Sequence, residues 1–164
     1  MACRGVYFAL TDEDAKRVLA VAGDDDALIE LIQEDIEARW DEDWLAETDK
    51  AWDAMHRCLT DGRLSFEADS PRAKCVLGGR QLHDGEDYII SFVTSEQVRQ
   101  VASAIRDIDE TWMRQRYFAI PADDYGCPLS EEDFGYTWSW FEGVQALYQK
   151  AAAAGRAVMF TVSQ

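Results

Sequence analysis

The chain has 164 residues, of which 32 are acidic and 16 basic, giving a formal charge of −16. A field of that sign repels nucleic-acid phosphates and anionic membrane surfaces and suits a basic protein partner, so neither nucleic acid nor membrane is expected as a ligand. Cys3, Cys58, Cys75 and Cys127 stand far apart with no C-x-x-C pair, which argues against a zinc ribbon and a disulfide scaffold. The opening MACRGVYFAL lacks the apolar run of a signal peptide, and no stretch approaches the roughly 20 apolar residues of a membrane helix. The expectation is one cytosolic domain over 1–164 with reduced thiols.

Residues 4–10, RGVYFAL, alternate as a strand, with Val6, Phe8 and Leu10 on one face and Tyr7 and Ala9 on the other. Thr11 then caps a helix that Gly23 stops. Asp24, Asp25 and Asp26 form the acidic first turn of a second helix, where carboxylates meet the positive end of the dipole. Leu28, Ile29, Ile32, Ile36 and Trp40 are its inward stripe. Trp40 and Trp44, four apart, extend this helix or bend it into a short turn.

The stretch 49–62, DKAWDAMHRCLTDG, reads as a helix capped by Thr48 and closed by Gly62. Trp52, Met55, His56 and Leu59 form its inner stripe. Asp53 and Arg57, acid first and four apart, suit a helix ion pair on a solvated face. Residues 62–72 are a loop, and AKCVLGG (73–79) reads as a short strand entering a Gly-Gly turn. Asp84-Gly85 signals a tight turn that exposes His83. YIISFV (88–93) is the clearest strand, followed by a Thr94/Gln97 capping box and a helix whose inner face is Val98, Val101, Ala102, Ile105 and Ile108. A short helix over 109–118 and a loop over AIPADDYGCP lead to the longest helix. Ser130 caps it, Phe134, Trp138, Phe141, Gln145 and Tyr148 run down one side, and Gly155 ends it before a last strand, RAVMFTV. The order predicts an α+β domain: a mixed or antiparallel sheet of about four strands with six or seven helices.

Three patches give this reading a relative. They are Met1 with Gly5-Val6-Tyr7-Phe8; Asp49-Lys50-Ala51-Trp52-Asp53 with His56, Leu59 and Thr60; and Val76-Leu77-Gly78-Gly79 followed by Leu82, Asp84 and Gly85. Together with the closing GRAVMFTV, they resemble the YfbM-like family of uncharacterised bacterial proteins, a domain of unknown function. The resemblance implies a compact single-domain α+β fold and carries no activity.

The chemistry is sparse. His56 is either a general base or a core histidine bonded to a backbone carbonyl, and the second is favoured because buried polar groups are usually there to be satisfied. Asp53 and His56 supply two metal ligands at most, and no H-E-x-x-H, phosphate loop or G-x-S-x-G elbow is present. No metal and no cofactor are therefore expected. Cys58 lies two residues from His56, so the two side chains point apart on a helix. Gly78-Gly79 beside Arg80 is either a plain turn, the favoured reading, or a backbone nest for an anion.

Two functions remain. One is a non-catalytic binding protein with an acidic surface, of an inhibitor or immunity type, that neutralises a basic protein. The other is a small-molecule binder or enzyme with a pocket made by Lys50, Trp52, Asp53, His56, Gly78, Gly79 and Arg80.

Overall fold

A computed structural model describes residues 3–163, so Met1 of the opening motif lies outside the described residues. The core of the fold is a five-stranded antiparallel sheet in the order β2-β1-β5-β4-β3, formed by β1 (Arg4–Leu10), β2 (Leu45–Asp49), β3 (Arg80–Gln81), β4 (Tyr88–Val93) and β5 (Ala157–Ser163). β1 and β5 pair along their whole length, from Arg4 opposite Ser163 to Leu10 opposite Ala157. Both are buried on both faces, which requires a helical layer on each side of the sheet.

One layer is α1 (Asp12–Ala20), then α2 (Asp25–Leu31), which passes through a π turn (Ile32–Ile36) into α3 (Glu37–Arg39). Thr11 and Asp24 cap the starts of α1 and α2 through their side-chain oxygens, as read from sequence. Val18, Leu28, Ile32 and Ile36 meet Val6, Phe8, Leu10, Ile90 and Met159 on this side. The opposite layer holds α4 (Trp52–Leu59), α5 (Ser95–Ile105), α6 (Glu110–Phe118), α7 (Ala122–Tyr125) and α8 (Glu131–Ala154). It packs on Tyr7, Ala9, Ile89, Val93, Val158 and Phe160. The capping box at Thr94 and Gln97, the Ser130 cap and the left-handed Gly155 (φ +70°) all form. The two-faced reading of 4–10 therefore holds, as does the α+β class, with one strand more than expected.

Two strands were not expected, β2 and the two-residue β3, while the one expected over 73–79 does not form. Where the tryptophan spacing suggested helix or turn, Trp40 takes a left-handed conformation (φ 43°) and ends α3. A 3₁₀ turn at Glu42–Trp44 follows, and the chain then pairs along β1 as an edge strand. Thr48 consequently belongs to the sheet rather than to a helix cap. Its hydroxyl donates to Gly5 O at 3.2 Å, and a Cβ on Gly5 would lie 2.3 Å from that Oγ1, so only glycine fits there. The helix expected from Asp49 starts at Trp52 instead; Gly62 does close the segment, with φ +91° and its N–H returning to Arg57 O at 3.1 Å.

Residues 73–79 are a 3₁₀ turn (Ala73–Cys75) and a bend, where a strand was expected. Two tyrosines from distant elements fix this bend. Tyr7 Oη donates to Cys75 O at 2.6 Å and Tyr148 Oη donates to the same oxygen at 3.3 Å, all within the core. The presumed loop at 119–128 also contains the short helix α7.

Each tyrosine can serve the Cys75 carbonyl alone. Tyr7→Phe and Tyr148→Phe should thus each cost about 1 kcal/mol, while the double variant should lose more than their sum, because it alone strands a buried acceptor. Urea melts of the four proteins measure this. Strictly additive losses would show that the carbonyl has another donor.

Candidate functional site

The segment Lys50–Leu59 forms a ridge between two surface grooves, and Lys50 and Asp53 line both. The ridge is fixed at its start by Trp52. Its indole Nε1 donates to Cys3 O at 2.8 Å, and its ring lies 6.2 Å from that of Phe160, leaving 7% of the residue exposed. Below the ridge, Arg57 is only 5% exposed, contrary to the solvated face expected for it. Its Nε donates to Asp53 at 2.6 Å, its Nη1 to Asp124 at 2.6 Å and to Gly62 O at 3.2 Å, and its guanidinium sits 5.5 Å from the centre of the Tyr125 ring. One buried cation thus ties α4, the Gly62 turn and α7 together.

The first groove, about 490 Å³, is polar: Tyr125, Cys127, Ser130, Glu132, Asp133 and Tyr136 face Lys50 and Asp53. Asp133 Oδ2 accepts from the Tyr117 hydroxyl at 2.6 Å and the Tyr125 hydroxyl at 2.7 Å, and Tyr136 donates to Asp49 at 2.6 Å. Its carboxylates and hydroxyls are therefore largely occupied with one another.

The second groove, about 360 Å³, is apolar. Cys3, Trp52, Leu64, Phe66, Leu77 and Ile89 line it with Lys50 and Asp53. Phe66 and Ile89 also line a neighbouring depression of about 420 Å³ bounded by Gln81, His83, Asp84, Gly85, Glu86 and Tyr88. Leu64 and Phe66 remain 39% and 50% exposed on its rim.

Of the residues predicted to form one pocket, the structure brings Lys50, Trp52 and Asp53 together. It does not bring the others to them. His56 is fully buried, and its Nε2 lies 2.8 Å from Ser65 O. That carbonyl can only accept, so Nε2 carries the proton, and Nδ1 is left as a buried acceptor with no partner. Gly78 and Gly79 line neither groove and have no left-handed φ, so they form no anion nest. A Cβ on Gly78 would lie 2.7 Å from the Ala73 carbonyl carbon, and one on Gly79 2.7 Å from Phe92 O; close backbone approach is what demands glycine here. Arg80 is exposed on the edge strand β3, opposite Phe92.

His83, expected in an exposed turn, is instead clasped. Its side chain is 6% exposed, with Nε2 3.0 Å from Asp87 Oδ1 and Nδ1 3.2 Å from Asp25 Oδ1. Among the described residues, no group of three or more His, Cys, Asp or Glu is arranged to hold a metal ion. Cys58 and Cys75 are buried, which pushes both thiols up to about 12 and makes them poor nucleophiles. Among the described residues, no helix is long and apolar enough to cross a membrane.

These features define an α+β domain in which an antiparallel sheet lies between two helical layers and grooves flank one central helix. The chain belongs to the family described as a domain of unknown function (DUF1877), whose model matches residues 1–161. Its fold is similar to that of a crystal structure titled as a protein of unknown function, YfbM from Escherichia coli. The similarity has a TM-score of 0.71 at 18% identity and covers 97% of this chain and 99% of that one. No curated protein matches the sequence.

The two histidines should titrate on opposite sides of the usual imidazole value of about 6.5. Burial without a second partner depresses His56, whereas the hydrogen bond to Asp87, aided by Asp25, raises His83. A depressed histidine stabilises the fold above about pH 6.5 and loses that contribution as pH falls, because the unfolded chain takes up the proton first. A raised one stabilises below about pH 6.5 and loses its contribution as pH rises through the folded value. NMR titration should resolve the pair, and His56→Gln should lower the urea midpoint at neutral pH while His83→Gln matters most in mild acid. Coincident titrations would overturn both assignments.

Proposed function

We propose that the protein is a non-catalytic binding protein of the cytosol whose partner is a basic protein, in the manner of an inhibitor or immunity protein. The observation that carries this reading is an uncompensated acidic surface next to exposed apolar side chains. With 32 carboxylates against 16 basic groups, internal pairing leaves a large excess, and two of the unpaired carboxylates, Asp84 and Glu86, line a depression that shares the exposed Phe66 with the apolar groove. Exposed apolar side chains within a charged rim are the usual composition of a protein contact surface. The four free cysteines suit a reducing compartment. The burial of His56 and the separation of Gly78-Gly79 from the ridge weigh against the pocket reading.

Charge-led association weakens with salt, since the screening length falls from roughly 10 Å at 0.1 M to roughly 3 Å at 1 M. Immobilised protein should retain basic partners at low salt and release them at high salt, with mass spectrometry identifying what is retained. Recovery of the same partners under both conditions, or of none, would defeat the proposal.

A further inference from the structure

We infer that the apolar groove and the adjoining depression that shares Phe66 and Ile89 with it form a directional docking site for an extended segment of the partner protein, carrying a bulky apolar side chain with a lysine or arginine to one side of it. The inference rests on the reading of a basic partner and adds where it binds and in which direction.

The apolar part is defined by Trp52, Leu64, Phe66, Leu77 and Ile89, which together offer a seat for one large side chain. Leu64 and Phe66 gain most from being covered, because they are the apolar lining residues left substantially exposed. The two ends of the groove differ in charge. At the far end, Asp84 and Glu86 line the depression beside Tyr88, and neither makes an ion pair among the described residues. Their neighbour Asp87 is held by His83, so it is less free to serve a ligand. At the near end stands Lys50, likewise without an ion pair, while Asp53 beside it shares the charge of Arg57 with Asp124. A cation is therefore favoured at the Asp84–Glu86 end over the Lys50 end, where positive and negative side chains balance. This asymmetry gives the bound segment a direction and supplies specificity.

A displayed library of random linear peptides, selected against the whole protein, provides the probe. Selected sequences should pair a bulky apolar residue with a Lys or Arg, and the basic residue should lie consistently on one side of the apolar one. Binding of a selected peptide should fall at least about tenfold for Leu64→Ser/Phe66→Ser, as when an interface anchor is truncated. It should also fall for Asp84→Asn/Glu86→Gln, with a weaker salt dependence remaining. All four positions are exposed, so melting curves of these variants should match the parent. Glu132→Gln, in the polar groove, should bind unchanged.

Failure to select any peptide, selection of sequences without positive charge, or binding indifferent to Leu64→Ser/Phe66→Ser would overturn the proposal. The broader reading can survive that outcome: if the same variant still retains salt-sensitive basic partners, the partner class stands and the site lies elsewhere.

Discussion

The pairing of β1 with β5 is the constraint on which everything else depends. It joins residues near the two ends of the chain, Arg4 with Ser163, and places both strands in the middle of the sheet. A central strand buried on two faces cannot be stabilised by one helical layer, so α1–α3 and α4–α8 are both obligatory. The same pairing also positions the grooves. Cys3, just ahead of β1, accepts the Trp52 indole, and Phe160 on β5 supports the ring. The N-terminal end of α4 is thus registered against the sheet by the chain's two most sequence-distant elements.

Sequence revealed those parts of the fold whose causes are local. The Thr94–Gln97 box, the Ser130 cap and the Gly155 stop each depend on residues within one turn, and each forms. What it concealed was decided at long range. β2 is a five-residue edge strand with a charged, exposed Glu47, and nothing in propensity places Trp40 at positive φ to release the chain into it. AKCVLGG has the apolar content of a strand. Its Cys75 carbonyl, however, is claimed by Tyr7 and Tyr148, 68 and 73 residues away, and its glycine is pressed against Ala73.

The candidate site shows the same division. The Asp53–Arg57 pair is visible at i, i+4, but its burial is set by Asp124, 67 residues later. His56 was legible as a core histidine from its stripe. His83 was not legible as a clasped one, because Asp25 comes from the opposite helical layer. Leu64 and Phe66 had no signal at all: in a loop rich in Asp, Ser and Gly they resemble incidental apolar residues until the fold sets them beside Trp52 and Ile89.

Arg57 explains why a strongly acidic protein buries a cation beneath its groove ridge. Asp53 and Asp124 are 30% and 58% exposed in their side chains, so water could solvate them without help; what they gain from Arg57 is position. The guanidinium fixes Asp53 at the boundary between the polar and apolar grooves and at the same time offsets part of the charge that Asp53 and Asp124 carry. Lys50 then offsets the carboxylate charge that Arg57 leaves over, so that end of the apolar groove is close to neutral although the protein as a whole is acidic. Arg57 and Lys50 together thereby set a charge-balanced end of the groove against the acidic Asp84–Glu86 end, and a uniform field could not have given a bound segment a direction.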